Sequence, residues 1–419
     1  MRKFKQNRLQ TPKKIKGMTD HFYQDLLDAP AHGKKVAWCI GPVPFTPLRA
    51  MGIPFVHLEN YGARIAARGA GGFLQKVAED WGLSKDACSY MRGAQGMSLC
   101  YAQDVQMPPE IEKYRLPKPD MVICINYCIS ATNIAEIFYR ELKVPVHTID
   151  WPYQMAKDDD RKRFVPYMKR NIEEYIGFLE EQTGRKMDYA ELSALVGRLR
   201  EMATLRGEVL DMAKNVPSPI TTFDAFISMG AGNIWSGTQE SIEYFKELKA
   251  EVEERVKNKV GAIENEKTRL MWDFIAVWAR VGYMGELFAS HNAAVIANAY
   301  SRLVMGMTPE FLDPENPVES LAKDLSYAFL FGNIKERIKW MKEVIEEFSI
   351  DGIIGHSART CRVVSMAQPV HLAEVERLTG VPYVMFEADH SDPDFYSPAQ
   401  VDTRIIAFLE MLEARKRKG

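Results

Sequence analysis

The sequence predicts an α/β protein with two doubly wound parallel-sheet domains, of the Rossmann or flavodoxin type, and a helical connecting region. Two observations lead to this fold class. Short segments rich in aliphatic residues alternate with longer segments of helical periodicity, which is typical of parallel βαβ units. A weak internal repeat also places two such units far apart in a chain of 419 residues, which is long for a single domain.

Seven segments are predicted strands of these sheets. They are apolar along their whole length, as expected of parallel strands that helices cover on both faces. The predicted strands lie near residues 35–40, 54–57, 121–126, 144–149, 293–299, 352–356 and 382–387.

The internal repeat consists of a strand, a cysteine, a helix and a second strand. Cys128 and Cys361 occupy matching places shortly after the first strand, and both copies enter the second strand at a Val-Pro pair, at residues 144–145 and 381–382. In open α/β sheets, ligands bind beyond the carboxyl ends of the strands. The repeat therefore predicts that both cysteines face a binding cleft.

The repeat also divides the chain into two predicted domains. Residues 1–190 form an N-terminal α/β domain with a basic tail, and this domain contains Cys88 and Cys128. Residues 191–419 begin with a helical connector that extends to about residue 290 and end with a C-terminal α/β domain that contains Cys361. The whole stretch from about residue 160 to 290 is expected to be mainly helical.

Both ends of the chain are basic. The first 16 residues contain seven Lys or Arg and no apolar stretch follows them, which predicts a solvated tail rather than a secretory signal. In the predicted last helix, Ser397 is expected to cap the first turn, Pro398 suits that turn, and the basic run 415–418 suits the negative pole of the helix dipole.

The composition excludes several classes of protein. With 46% apolar and 26% charged residues, it is typical of a globular protein, and the net charge of −2 argues against general binding to nucleic acid or to a membrane surface. The apolar runs are far shorter than the roughly 20 residues that cross a bilayer. We expect a cytoplasmic protein with no nucleic-acid partner and no membrane partner.

The six cysteines fall into two groups. Cys39 and Cys124 lie inside apolar strands and are interpreted as core residues, whereas the role of Cys100 stays open. The other three stand at junctions beside polar or small residues: Cys88, Cys128 and Cys361.

Three thiolates can hold an iron–sulfur cluster and leave one iron free of cysteine, so that it can bind substrate. A helix that begins at the cysteine would stabilise the thiolate form. The spacings contain no CxxC pair or HExxH motif, so zinc is poorly supported. The alternative is an α/β protein without a metal, in which these cysteines are small core residues.

A few other polar residues are candidates for chemistry. Glu59 directly follows the second strand, where it can act as an acid or base or can cap the next helix. His57 and His147 are interpreted as strand residues, and a functional role stays open for His356 and His390 at strand ends. The glycine clusters match neither the dinucleotide fingerprint nor the Walker loop, so no nucleotide site is predicted.

Taken together, these segments resemble the (R)-2-hydroxyacyl-CoA dehydratase family, which also contains the substrate-reducing subunits of benzoyl-CoA reductase. The resemblance covers almost the whole chain. It rests on the order and spacing of residues 33–39, Glu59-Asn60, 66–69, 88–90, Cys128, 144–150, 237–240, 356–361, Asp392-Pro393 and Thr403-Arg404.

The resemblance implies roles for individual residues. Cys88, Cys128 and Cys361 match the cysteines that hold a [4Fe-4S] cluster, whose fourth iron has a non-protein ligand and can meet the thioester carbonyl oxygen of the substrate. Glu59 matches an acidic residue at the substrate pocket. One position departs from the pattern, because this chain has Gly41 where some dehydratases place a serine hydroxyl near the substrate.

The implied function is that of a catalytic subunit of a radical dehydratase, which forms 2-enoyl-CoA from a 2-hydroxyacyl-CoA through a ketyl radical. The implied partners are an acyl-CoA substrate, a homologous second subunit in a heterodimer, and a separate ATP-hydrolysing iron–sulfur activator. Two alternatives stay open. The chain can be a subunit of an ATP-dependent benzoyl-CoA reductase, or a non-catalytic partner that carries a cluster.

Overall fold

The computed structural model of the chain describes residues 6–152, 158–303, 306–328 and 333–417. These residues form two four-stranded sheets in which all neighbouring strands are parallel. The predicted fold class is confirmed. Residues 1–5 of the predicted basic tail and Lys418 of the C-terminal basic run lie outside the described residues.

The first sheet is built from four predicted strands, β1 (Ala37–Ile40), β2 (Phe55–His57), β3 (Met121–Ile125) and β4 (Val146–Ile149). Its order is β2-β1-β3-β4, so β1 and β3 are the central strands and both are fully buried. Cys39 in β1 and Cys124 in β3 have no exposed surface. Their interpretation as core residues is confirmed.

The second sheet repeats this arrangement. Its strands are β5 (Thr268–Asp273), β6 (Ala293–Asn298), β7 (Gly352–Ala358) and β8 (Tyr383–Ala388). The order β6-β5-β7-β8 corresponds strand for strand to that of the first sheet. The internal repeat therefore reflects two copies of the same sheet topology.

Strand β5 corrects the prediction of a mainly helical stretch up to residue 290. Its polar residues obscure the apolar pattern of a buried strand, yet all six of its residues are buried. Arg269 donates to the carbonyl of Phe348 at 2.8 Å, and Asp273 accepts a hydrogen bond from His371 at 2.9 Å. Distant partners make the burial of these polar groups possible, and no local sequence pattern reveals those partners.

Helices cover both sheets and fill the region between them. They are α1 (Ile15–Asp28), α2 (Thr46–Ala50), α3 (Leu58–Ala67), α4 (Gly71–Asp80), α5 (Ser89–Ala102), α6 (Pro109–Glu112), α7 (Ile129–Leu142), α8 (Asp158–Thr183), α9 (Tyr189–Asp211), α10 (Thr222–Asn233), α11 (Gln239–Lys257), α12 (Val281–Ser290), α13 (Ala299–Leu303), α14 (Pro317–Ser326), α15 (Ile334–Phe348), α16 (Arg362–Ser365), α17 (Gln368–Thr379) and α18 (Pro398–Lys416).

Each sheet has a switch point between its two central strands, because the chain leaves those strands toward opposite edges of the sheet. Ligands of open α/β sheets bind at such points. Gly41 and Cys128 follow the central strands of the first sheet, and Phe274 and Cys361 follow those of the second. The fold thus places both repeat cysteines at the positions where a ligand is expected.

The ends of the chain meet the predictions in part. Pro398 opens the last helix as predicted, but Ser397 at the N-cap position makes no capping hydrogen bond with its side chain.

Among the described residues, none of the helices combines the length and the apolar character needed to cross a membrane. The sheets occupy residues 37–149 and 268–388, and the domain boundary near residue 190 stays a prediction.

Candidate functional site

A cavity of about 600 Å³ is lined by residues from both switch points. Gly41, Tyr127 and Cys128 come from the first sheet, and Phe274 and Cys361 come from the second. Because the two halves contribute jointly, the cavity is formed only when both sheets are folded and packed. It is the candidate site.

The three cysteines predicted to act together all line this cavity. Each of them immediately precedes a helix, with Cys88 before α5, Cys128 before α7 and Cys361 before the short helix α16. The Cys128 sulfur accepts a hydrogen bond from the backbone N–H of Ala131 at 3.4 Å. Thiols that are up to 273 positions apart in the sequence therefore face one space.

Burial raises the pKa of all three thiols, and this outweighs the lowering by backbone N–H groups at the helix starts, which the sequence predicted would stabilise the thiolate. Burial raises the pKa of Cys88 well above its ordinary value, and the nearby thiols of Cys361 and Cys128 raise it further. Burial raises the pKa of Cys361 to about 12 and also raises that of Cys128. Since metals bind the thiolate, metal binding at this site would release protons.

The arrangement of the thiols bears on the kind of metal group that fits. In the part of the chain that the structure describes, no three His, Cys, Asp or Glu side chains converge closely enough to hold a single metal ion. In a cluster, each cysteine binds a different iron, so the three sulfurs need not converge on one point as they do around a single ion. Three thiols that line one cavity are a donor set that fits a cluster held by cysteines.

Glu59 lies in the first turn of α3 and lines the same cavity, with 11% of its side chain exposed. Its Oε1 accepts hydrogen bonds from the backbone N–H of Gly41 and from the hydroxyl of Tyr127, both at 2.8 Å. Its Oε2 lies 3.1 Å from the Nε2 of His57 but accepts no hydrogen bond among the described residues. The carboxylate is thus held at one oxygen and keeps an acceptor available at the other.

A buried hydrogen-bond network behind Cys88 joins the two halves. Asp389 accepts hydrogen bonds from the hydroxyl of Ser89 and, at 2.6 Å, from that of Thr360. Burial opposes its charge, but His390 and these hydrogen bonds hold the pKa of Asp389 below its ordinary value. The Nε2 of His390 lies 3.0 Å from the Ser89 hydroxyl and 3.7 Å from the Cys88 sulfur. This network sets the position of Cys88 relative to the second half.

The remaining wall has an aromatic part and a cationic part. Ring centroids lie 5.8 Å apart for Phe226 and Trp278, and also 5.8 Å apart for Phe274 and Tyr300. The cations of the wall are exposed or half-buried: Lys13, Lys16, Arg64, Arg68 and Arg362. An apolar group therefore suits the aromatic part, and an anionic group suits the accessible cations.

Of the two histidines whose roles the sequence left open, His390 lines the cavity, whereas His356 is a buried residue of β7. His57, interpreted as a strand residue, ends β2 and also lines the cavity beside Glu59. Sequence reasoning missed Tyr127 and the aromatic wall. The position of Tyr127 directly before Cys128 is the signal that could have identified it.

The buried His356 predicts a fold whose stability depends on pH. Burial lowers its pKa from the ordinary 6.5 to about 4, although its Nδ1 lies 2.9 Å from the carbonyl oxygen of Ile275. The unfolded chain takes up a proton near pH 6.5 and the folded chain only near pH 4, so stability is lost as the pH falls through this window. We expect a loss of about 3 kcal/mol.

Thermal unfolding temperatures measured from pH 7 to pH 4 check this expectation. The unfolding temperature of His356→Gln should fall less steeply than that of the wild type across the window, because glutamine does not take up the proton. Groups that do not interact with His356 titrate alike in both proteins and cancel in the comparison. Parallel curves for the two proteins would show that His356 does not carry the effect.

Comparison with known proteins places the chain among acyl-CoA enzymes. Residues 43–412 match the family described as 2-hydroxyglutaryl-CoA dehydratase, D-component. The chain is 28% identical to the lactoyl-CoA dehydratase subunit alpha of Anaerotignum propionicum over 93% of this chain and 94% of that protein. It is 29% identical to the (R)-phenyllactyl-CoA dehydratase alpha subunit of Clostridium sporogenes over 96% and 95% of the two chains.

The similarity extends to an enzyme with a different reaction. The chain is 27% identical to a benzoyl-CoA reductase subunit of Thauera aromatica over 84% of this chain and 82% of that protein. The family match covers most of the chain, including all three cavity cysteines and Glu59. The chain therefore belongs to the 2-hydroxyglutaryl-CoA dehydratase D-component family, as its cysteine sites and their surroundings predicted.

Proposed function

We propose that this chain is the [4Fe-4S]-carrying catalytic subunit of a radical (R)-2-hydroxyacyl-CoA dehydratase that forms 2-enoyl-CoA. The observation that carries the proposal is the cavity that Cys88, Cys128 and Cys361 share with Glu59. Similarity to the alpha subunits of two such dehydratases supports it. A homologous second subunit and a separate ATP-hydrolysing iron–sulfur activator complete the proposed system.

The three cysteines are the proposed ligands of the cluster. When bound, such a cluster supplies a Lewis-acidic iron and an electron to the thioester carbonyl. This chemistry is needed because the β-proton of a 2-hydroxyacyl thioester is hardly acidic, so that ordinary elimination faces a high barrier. An acyl chain bound against the aromatic wall would exclude water from the cysteines, which strengthens electrostatic interactions at the reacting centre.

Glu59 is the proposed acid or base. A buried carboxylate oxygen without a donor is costly, so a substrate hydroxyl that donates to Oε2 would be favoured here. From that place the carboxylate can hold the hydroxyl group that leaves or accept the proton that is lost. Its Oε1 stays bound to Gly41 and Tyr127, so the carboxylate need not reorient during the reaction.

The wall also favours a class of acyl group. The accessible cations suit the phosphates of CoA, and the aromatic rings suit an apolar or aromatic acyl chain. Arg64 and Arg68 are cations of the wall that are already paired with Asp20, at 3.1 and 3.6 Å. A second carboxylate on the acyl chain would be left unpaired against the rings, which is costly.

The test is an anaerobic incubation of the two-subunit complex with activator, ATP and reductant. We expect many molecules of enoyl-CoA to form per electron supplied, because dehydration returns the electron. (R)-Phenyllactyl-CoA should react in preference to (R)-2-hydroxyglutaryl-CoA. Reduction of benzoyl-CoA, with electrons consumed in proportion to product, would instead assign the chain to the reductases, and the 27% identity to a reductase subunit is the observation that favours this alternative.

Iron binding without any response to acyl-CoA would favour the third interpretation, a partner that carries a cluster but does not catalyse. The ultraviolet–visible spectrum of the reconstituted chain, recorded with and without acyl-CoA, separates this interpretation from the other two. An unchanged spectrum together with no turnover of any of the three thioesters would overturn the proposed function.

A further inference from the structure

Gly41 and Tyr127 share one space at the switch point of the first sheet. Gly41 directly follows β1 with a φ of +84°, a backbone conformation that residues with side chains rarely adopt. A Cβ atom on residue 41 would lie 2.7 Å from the Cδ1 and 2.8 Å from the Cε1 of the Tyr127 ring. Residue 41 therefore has no room for a side chain while the tyrosine occupies this place.

The Tyr127 ring brings a hydroxyl to the same part of the wall. That hydroxyl donates to Oε1 of Glu59 at 2.8 Å, and the Gly41 N–H donates to the same oxygen at 2.8 Å. The tyrosine ring can occupy this place only because residue 41 has no side chain. The pair therefore acts as one clamp on the Glu59 carboxylate.

We infer that Tyr127 is a positioning residue for Glu59, in a space that stays open only because residue 41 is a glycine. The inference rests on the proposed function, because it takes Glu59 to act on the substrate. Without the tyrosine hydroxyl, the carboxylate keeps only the Gly41 N–H at Oε1 and can turn away from the reacting atoms. Misplacement of a catalytic group costs up to about a hundredfold in rate.

The test is a double-mutant cycle on the reconstituted two-subunit complex with Tyr127→Phe, Glu59→Gln and the combined variant. Phenylalanine keeps the ring beside Gly41 and removes only the hydroxyl. We expect Tyr127→Phe to lower kcat about ten- to hundredfold with little change in KM. Because the hydroxyl acts through Glu59, the combined variant should be no slower than Glu59→Gln alone.

Iron content and acyl-CoA binding give readouts that do not depend on turnover. Both should match the wild type in all three variants, and kcat is expressed per bound cluster. Tyr139→Phe is the matched control, since this tyrosine is exposed on α7. A Tyr127→Phe loss that merely follows lost iron, or losses that multiply in the combined variant, would overturn the role of Tyr127.

Gly41→Ala supplies a second variant that leaves residue 127 intact. The added methyl group must displace the tyrosine ring, so kcat should fall as in Tyr127→Phe and fall no further in combination with Glu59→Gln. An unchanged kcat for Gly41→Ala would contradict the inference. A wild-type complex that turns over neither 2-hydroxyacyl-CoA nor benzoyl-CoA would instead overturn the proposed function, and the role of Tyr127 with it.

Discussion

Alanine in place of Cys361, or of Cys128, is expected to abolish stable iron binding by the anaerobically reconstituted chain. The wild type should bind about four irons, as a [4Fe-4S] cluster requires. Without Cys361, the two remaining ligands both belong to the first half of the molecule. Without Cys128, one ligand remains in each half. Even with three thiolates, one iron of the cluster has no cysteine ligand. We therefore expect two thiolates to be too few to hold the cluster stably.

The loss should not result from unfolding, because both thiols are only half-buried and alanine removes little volume. Circular dichroism of the variants checks this point. Cys100→Ala is the matched control, since its sulfur is buried in α5 and donates to the carbonyl of Gly96 within the same helix. Unchanged iron content in both Cys128→Ala and Cys361→Ala would remove the basis of the proposed cofactor.

Glu59→Gln is expected to lower kcat by about 10²- to 10⁴-fold, the usual contribution of a general acid or base. Glutamine has nearly the same shape, and its amide oxygen can still accept from Gly41 and Tyr127. It cannot take up a proton at the position of Oε2. The effect should therefore appear in kcat, with iron content and acyl-CoA binding unchanged.

The same substitution at an exposed glutamate provides the control. Glu110 lies on the surface in α6, and Glu110→Gln should leave kcat unchanged. If Glu59→Gln retained at least half of the wild-type kcat, the carboxylate would have no role in proton transfer. A large rise in KM without a fall in kcat would assign Glu59 to substrate binding instead.

The strand topology explains why the cysteines could be found in the sequence. Cys128 and Cys361 each follow a short apolar strand and precede a helix, and these are local features that a single sequence displays. Strand β5 shows the opposite case. Arg269 and Asp273 interrupt its apolar pattern, and they are buried only because Phe348 and His371 supply partners from later in the chain.

Gly41 shows that prediction from the sequence alone has the same limit within the site. The sequence indicates that a hydroxyl is missing at this position but not where another one is found. Tyr127 lies 86 positions away and reaches Glu59 only because β1 and β3 pair side by side. The distance between the two residues in space is set by the register of the sheet, which the sequence alone does not reveal.

The sequence by itself determined the fold class, the repeated strand and cysteine unit, the family, and the residues most suited to chemistry. Periodicity, junctions and spacing are properties of short segments, so they can be read along the chain. The tertiary structure decided that the three thiols and Glu59 line one cavity, and that the Tyr127 hydroxyl, beside Gly41, donates to Glu59. Such contacts depend on how distant segments pack, and packing is a property of the whole fold.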